Sequence, residues 1–133
     1  MLSIRFADRE GCDITATPAE LHAIATAILQ LASSGHGSHS FSGDVSASPK
    51  PYDRLLHRVT VSATAGPVCA TVNGDVLAIE GGPEFLKAFA SFFDFDDQTP
   101  SSYHHHHEYW EGNSHVSPHS VPLVIGIGGK LSH

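Results

Sequence analysis

The sequence predicts an α+β fold: two tandem β-β-α-β-β units, residues 1–66 and 67–133 of a single domain, forming an antiparallel or mixed sheet with two helices packed on one face. Three observations carry this expectation. Each half contains two short apolar runs separated by a turn, each then opens a helix at a proline, and the halves align. "ITATPAEL" (14–21) lies over "IEGGPEFL" (79–86) without a gap, matching Ile to Ile, Pro to Pro and Leu to Leu.

In the first half, strands are expected at residues 2–6 and 12–16 around the turn "DREG". The helix that follows has its start and stop written in. Thr17 can cap the free amides, Pro18 suits the first helical position, and Glu20 completes a capping box. Leu21, Ile24, Ala25, Ile28 and Leu29 recur at helical spacing to form an apolar face, and Gly35 closes the segment. A Ser/Pro loop at 42–50 then leads to a strand at 55–64.

The second half repeats the order, with strands at 68–72 and 76–80 around "NGD", a hairpin turn. Pro83 opens a helix burying Leu86, Phe89, Ala90 and Phe93. Asp94, Asp96 and Asp97 oppose the helix dipole, so the helix should end near Phe93 or Phe95. The run "YHHHHEYWE" (103–111) follows and alternates like a strand. With three residues inserted, "GHGSHSF" (35–41) lies over "YHHHHEY" (103–109), placing His36 on His104, His39 on His107 and Phe41 on Tyr109. A last strand is expected at 122–127.

Composition narrows the function classes. Seven basic residues stand against 14 acidic ones, which disfavours a nucleic-acid surface and suits a basic protein partner. Protonating all 11 histidines would move the formal charge from −7 to +4, so the balance depends on pH near the histidine range. No apolar run is long enough to cross a membrane and residues 1–6 lack the pattern of a secretory signal, so a cytoplasmic location is expected. Cys12 and Cys69 have no metal-ligand or redox spacing and are expected as small buried residues. The glycine-rich tail "GIGG" (126–129) has no helix behind it to cradle phosphate, and no nucleophile elbow, P-loop or zinc-protease motif is present.

The histidine run is internal, which argues against an engineered tag. On a strand, His104, His106, Glu108 and Trp110 share one face, while Tyr103, His105, His107, Tyr109 and Glu111 share the other. His104, His106 and Glu108 therefore form a candidate metal set, with His36, His39, His115 or His119 available to complete it. The alternative is a partly exposed aromatic strand packed against its neighbours, with no cofactor beyond adventitious zinc or nickel.

"HHHHEYW" followed by "SPHSVPLVIGI", behind a strand and an Ala/Leu/Phe-rich helix, resembles the immunity protein 32 group of bacterial polymorphic-toxin systems. The match falls on residues 104–109, Ser120 and residues 123–125, mainly in the second half. Pro122 at the start of the last strand departs from the pattern, as do the Gly and Ser residues that replace histidines in the first half. The resemblance implies a non-catalytic protein that binds and neutralises a cognate toxin, with an acidic surface suited to a basic nuclease toxin. Tyr103, His105, Glu108, Tyr109 and Trp110 are then the expected contact residues, since aromatic side chains dominate binding hot spots. Two rivals stand beside it: a metal-binding protein or metal-dependent enzyme using His104, His106 and Glu108, and a sheet protein that forms a homodimer through its open face.

Overall fold

The computed structural model describes residues 2–96 and 103–128, so Asp97 and Gly129 lie outside the described residues. Apolar alternation at the start of the chain gives β1 (Ser3–Ala7) and β2 (Gly11–Ala16), an antiparallel hairpin with Ile4 opposite Ile14. Helix α1 (Pro18–Ser34) begins with the expected capping box. The Glu20 amide donates to Thr17 Oγ1 at 3.2 Å, and the Thr17 amide donates to Glu20 Oε1 at 2.9 Å. Gly35 ends the helix in the left-handed conformation, its amide donating to the Leu31 carbonyl. β3 (Ser38–Ser42), β4 (Arg54–Leu55) and β5 (Arg58–Ala63) complete the first half.

The second hairpin is β6 (Cys69–Asn73) with β7 (Val76–Gly81), turned at Gly74. α2 (Pro83–Ala90) continues into a 3₁₀ turn at Ser91–Phe93, so the expected ending near Phe93 is reached by tightening the last turn. β8 (His104–His107) and β9 (Leu123–Ile127) follow. β8 is shorter than the expected 103–111 strand, because the chain leaves the sheet at Glu108.

These strands form two mixed sheets where one was expected, in the orders β4-β1-β2-β9-β8 and β3-β5-β7-β6. The reason is long-range pairing. β2 runs parallel to β9, with Cys12 opposite Leu123 and Ile14 opposite Ile125, while β5 runs parallel to β7, with Val61 opposite Ile79. Each hairpin therefore sits beside the strands that follow the helix of the other half. The chain also crosses between sheets. After β4 pairs with β1, Leu56 is fully buried at the crossing and its amide donates to the Ile4 carbonyl.

A second crossing leads into β9. Val116 bridges Val68, the Val121 amide donates to the Ala70 carbonyl, and the Ala70 amide donates to Ser120 Oγ at 2.8 Å. Ser120 thus satisfies an edge amide of β6 that the strand ladder leaves free. The helices pack against each other, and residues of both helices and both sheets join one buried cluster. Leu29, expected on the apolar face of α1, is instead exposed beside α2.

Gly11 marks a close approach between the halves. Its φ is +87°, and a Cβ there would collide with the Pro122 carbonyl, the same group that accepts the Cys12 amide at 2.9 Å. Gly74 also has positive φ, at +62°, but open space around it. Gly74→Ala should cost about 1 kcal/mol from backbone strain alone. Gly11→Ala adds a backbone clash and should cost roughly 2–4 kcal/mol. Urea denaturation of the two variants checks this, and equal losses would show that the β2–β9 junction is looser than described.

Candidate functional site

β8 lies at the edge of its sheet, paired with β9 through His105 opposite Ile125 and His107 opposite Leu123. Because Leu123 and Ile125 point into the core, so do His105 and His107, while His104 and His106 face outward. Gly126 stands opposite His104, and a Cβ there would come within 2.9 Å of His104 Cβ. The missing side chain makes room for the outward imidazole.

The inward histidines are held by the aromatic end of α2. His105 Nδ1 donates to the Phe92 carbonyl at 3.0 Å, and its ring stacks on Phe95 at 4.6 Å. His107 is 3% exposed and lies between the edges of Phe89 and Phe92, at 4.7 and 4.9 Å. Burial pushes its pKa down to about 4, so the ring is neutral at physiological pH. Its Nδ1 is buried with no hydrogen-bond partner among the described residues. Leaving such a nitrogen unanswered costs about 1–3 kcal/mol.

Beyond His107 the chain folds outward. The Asn113 amide donates to the Trp110 carbonyl at 2.9 Å, the Asn113 side chain donates to the Glu108 carbonyl at 3.3 Å, and Gly112 takes a φ of +95°. This turn displays Tyr109 and Trp110, which are 40% and 61% exposed, and Tyr103 at the other end of β8 is 52% exposed. Among the described residues these are the large aromatic side chains left in solvent. Between the turn and α2 lies a cleft of ≈ 380 Å³, with Phe85, Phe89, Phe92, Val68 and Val116 as apolar walls and Glu108, Trp110 and His115 at its mouth.

Of the five nominated contact residues, Tyr103, Glu108, Tyr109 and Trp110 are exposed around β8, whereas His105 is committed to Phe92 and Phe95. The alternation of faces within the strand is as the sequence implies. The proposed metal set fares differently. His104 and His106 have ring centroids 4.9 Å apart, but Glu108 has left the strand for the cleft. Among the described residues no three His, Cys, Asp or Glu side chains come together in a metal-holding group.

The cysteines are free, and Cys12 is buried deeply enough that its thiol pKa rises to about 12, which leaves no thiolate for catalysis. Cys69 is only half-buried. The cleft, which no sequence motif marks, arises because α2, β8 and the loop toward β9 converge there. Its only trace in the sequence is the density of phenylalanines in "EFLKAFASFF" (84–93).

The pH consequence of His107 has a definite sign. Its folded pKa of about 4 lies below the unfolded value near 6.5. The unfolded chain takes up the proton first, so stability is intact above pH 6.5 and falls by roughly 3 kcal/mol as pH drops through 4. His107→Phe should flatten this part of the stability profile, read from urea midpoints between pH 7 and 4. An unchanged slope would contradict a buried neutral imidazole.

Comparison with protein families matches residues 13–42 and 76–127 to immunity protein 32. No curated protein and no solved structure matches the chain. The two matched segments run through equivalent parts of the fold, β2–α1–β3 and β7–α2–β8–β9, so the first half is matched along with the second. Together they cover more than half of the chain, and the second contains the aromatic α2, the histidine strand and the exposed turn. The chain belongs to the immunity protein 32 family.

Proposed function

We propose that this protein is a cytoplasmic immunity protein that neutralises a cognate bacterial toxin of a polymorphic-toxin system by binding it, without catalysis. The observation that carries the reading is the family match together with the exposed aromatic group Tyr103, Tyr109 and Trp110 beside an apolar cleft. Exposed aromatics around a concave apolar floor are the usual anchors of a protein interface. Glu108 and Glu111 flank them, and the chain carries a formal charge of −7, which would speed association with a basic toxin. No helix among the described residues is long and apolar enough to cross a membrane.

The similar pairing of the two hairpins supports reading the chain as a duplicated β-β-α-β-β unit. In that reading the second copy has become the recognition half: β8 carries a buried histidine under aromatic cover, while β3 is exposed along most of its length.

Co-expression with the toxin encoded beside the gene tests the function. The wild-type chain should restore growth and bind the purified toxin after metal removal by EDTA. Trp110→Ala and Tyr109→Ala should each weaken binding at least tenfold, a loss of about 1.4 kcal/mol or more. No protection by the wild-type chain, or protection that disappears with metal, would overturn the reading.

A further inference from the structure

Among the described residues the two sheets end in β4, β8, β3 and β6, and these edges are not treated alike. An edge strand is a template for further pairing, and folded chains blunt it by shortening, covering, charging or bulging it. β4 is two residues long. The outer edge of β6 is covered by residues 115–121, which bond to the backbone of Val68 and Ala70. β8 is four residues long, and the chain leaves its sheet at Glu108. β3 is neither covered nor broken: "SHSFS", with no proline, acid, lysine or arginine, pairs with β5 in unbroken register from Ser38 to Ser42.

The ladder decides which backbone groups β3 leaves open. The Ala63 amide donates to the Gly37 carbonyl, and the Gly43 amide donates to the His57 carbonyl. Bonding alternates along an antiparallel pair, so residues 37, 39, 41 and 43 bond toward β5, while Ser38, Ser40 and Ser42 turn N–H and C=O outward. Among the described residues no hydrogen bond reaches those outward groups. The side chains leave the edge equally unfinished. His39 stands opposite Val61 and Phe41 opposite Val59, on the core side, with their rings stacked at 6.2 Å. Val59 and Val61 are buried, but Phe41 is only half-buried and His39 is exposed, so the apolar side of this sheet stops uncovered at β3.

We propose that β3 pairs with β3 of a second copy, antiparallel about a twofold axis at Ser40, joining two four-stranded sheets into one continuous sheet. The strand is its own complement in this register. Ser40 opposes Ser40 and Ser38 opposes Ser42, an exchange of about six backbone hydrogen bonds. His39 then faces Phe41 of the second copy across the closer, non-hydrogen-bonded positions, which supplies the cover each Phe41 lacks. Although the chain is acidic, at −7, β3 brings no formal charge to the axis. The contact is a narrow edge, so association is weak, on the order of 100 µM. β8 belongs to the other sheet, and the proposal does not rest on toxin capture.

Sedimentation velocity of the full chain between about 10 µM and 1 mM, a span that brackets this affinity, tests the proposal together with amide exchange followed by NMR. The chain should pass from monomer to dimer, and the Ser38, Ser40 and Ser42 amides should exchange at least threefold more slowly at the upper concentration. Ser40→Pro removes an outward amide without taking a bond from β5 and should leave a folded monomer throughout. Ser40→Lys sets two like charges against each other on the axis and should do the same, which keeps the test decisive if proline disturbs β3. A wild-type chain that stays monomeric would overturn the proposal. So would a dimer that survives Ser40→Lys, or one in which the three serine amides exchange no more slowly than in the monomer.

Discussion

The parallel pairings of β2 with β9 and of β5 with β7 are the constraint on which the rest of the molecule depends. A hairpin by itself is marginal in water, because it buries only one face of two strands. Here each hairpin gains its third and fourth strands from the other half of the chain, and the apolar faces of both sheets then meet the paired helices in one cluster. The two crossings at Leu56 and at residues 116–121 are consequences of this exchange, since a strand that begins beside one sheet must finish inside the other.

The same exchange explains why a strand of four histidines is stable. β8 borrows its apolar support from Leu123 and Ile125 of β9, and the aromatic end of α2 closes over it. Half-buried His105 donates to the Phe92 carbonyl, whereas His107 keeps its Nδ1 buried with no side-chain hydrogen bond among the described residues. The outward pair, His104 and His106, stays at the surface. A run that suggests metal chemistry in the sequence is thereby divided into one buried imidazole, His107, one half-buried, His105, and two exposed ones. What remains beside it is an apolar cleft and three exposed aromatics.

Much of the local structure was legible because local chemistry decides it. The Thr17–Glu20 capping box, the Gly35 stop, the hairpin at Gly74 and the face alternation along β8 each depend on residues a few positions apart. Sheet membership was not legible. Ile14 and Ile79 look equally suited to any apolar neighbour, and nothing in their spacing says that one will lie beside Ile125 and the other beside Val61. Leu29 fits the helical period of α1 yet is exposed, at the rim of the helix pair beside Pro83, Glu84 and Lys87 of α2. The surroundings of the histidines were partly legible: the run itself stands out, but strand alternation would put Tyr103 and Tyr109 on the face of His107. Their exposure follows from their places at and beyond the ends of β8, and the hold on His105 depends on a carbonyl 13 residues upstream. The cleft required three separate segments to converge, which no single window of sequence records.

The central claim is that neither half can complete its own sheets. Expressing residues 1–66 and 67–133 as separate chains measures this directly, with urea unfolding of each fragment and of their equimolar mixture. Each fragment alone should show no cooperative transition, and the mixture should recover one close to that of the intact chain. A cooperative transition in either fragment alone would contradict the exchange of strands and, with it, the account of how β8 and its cleft are held.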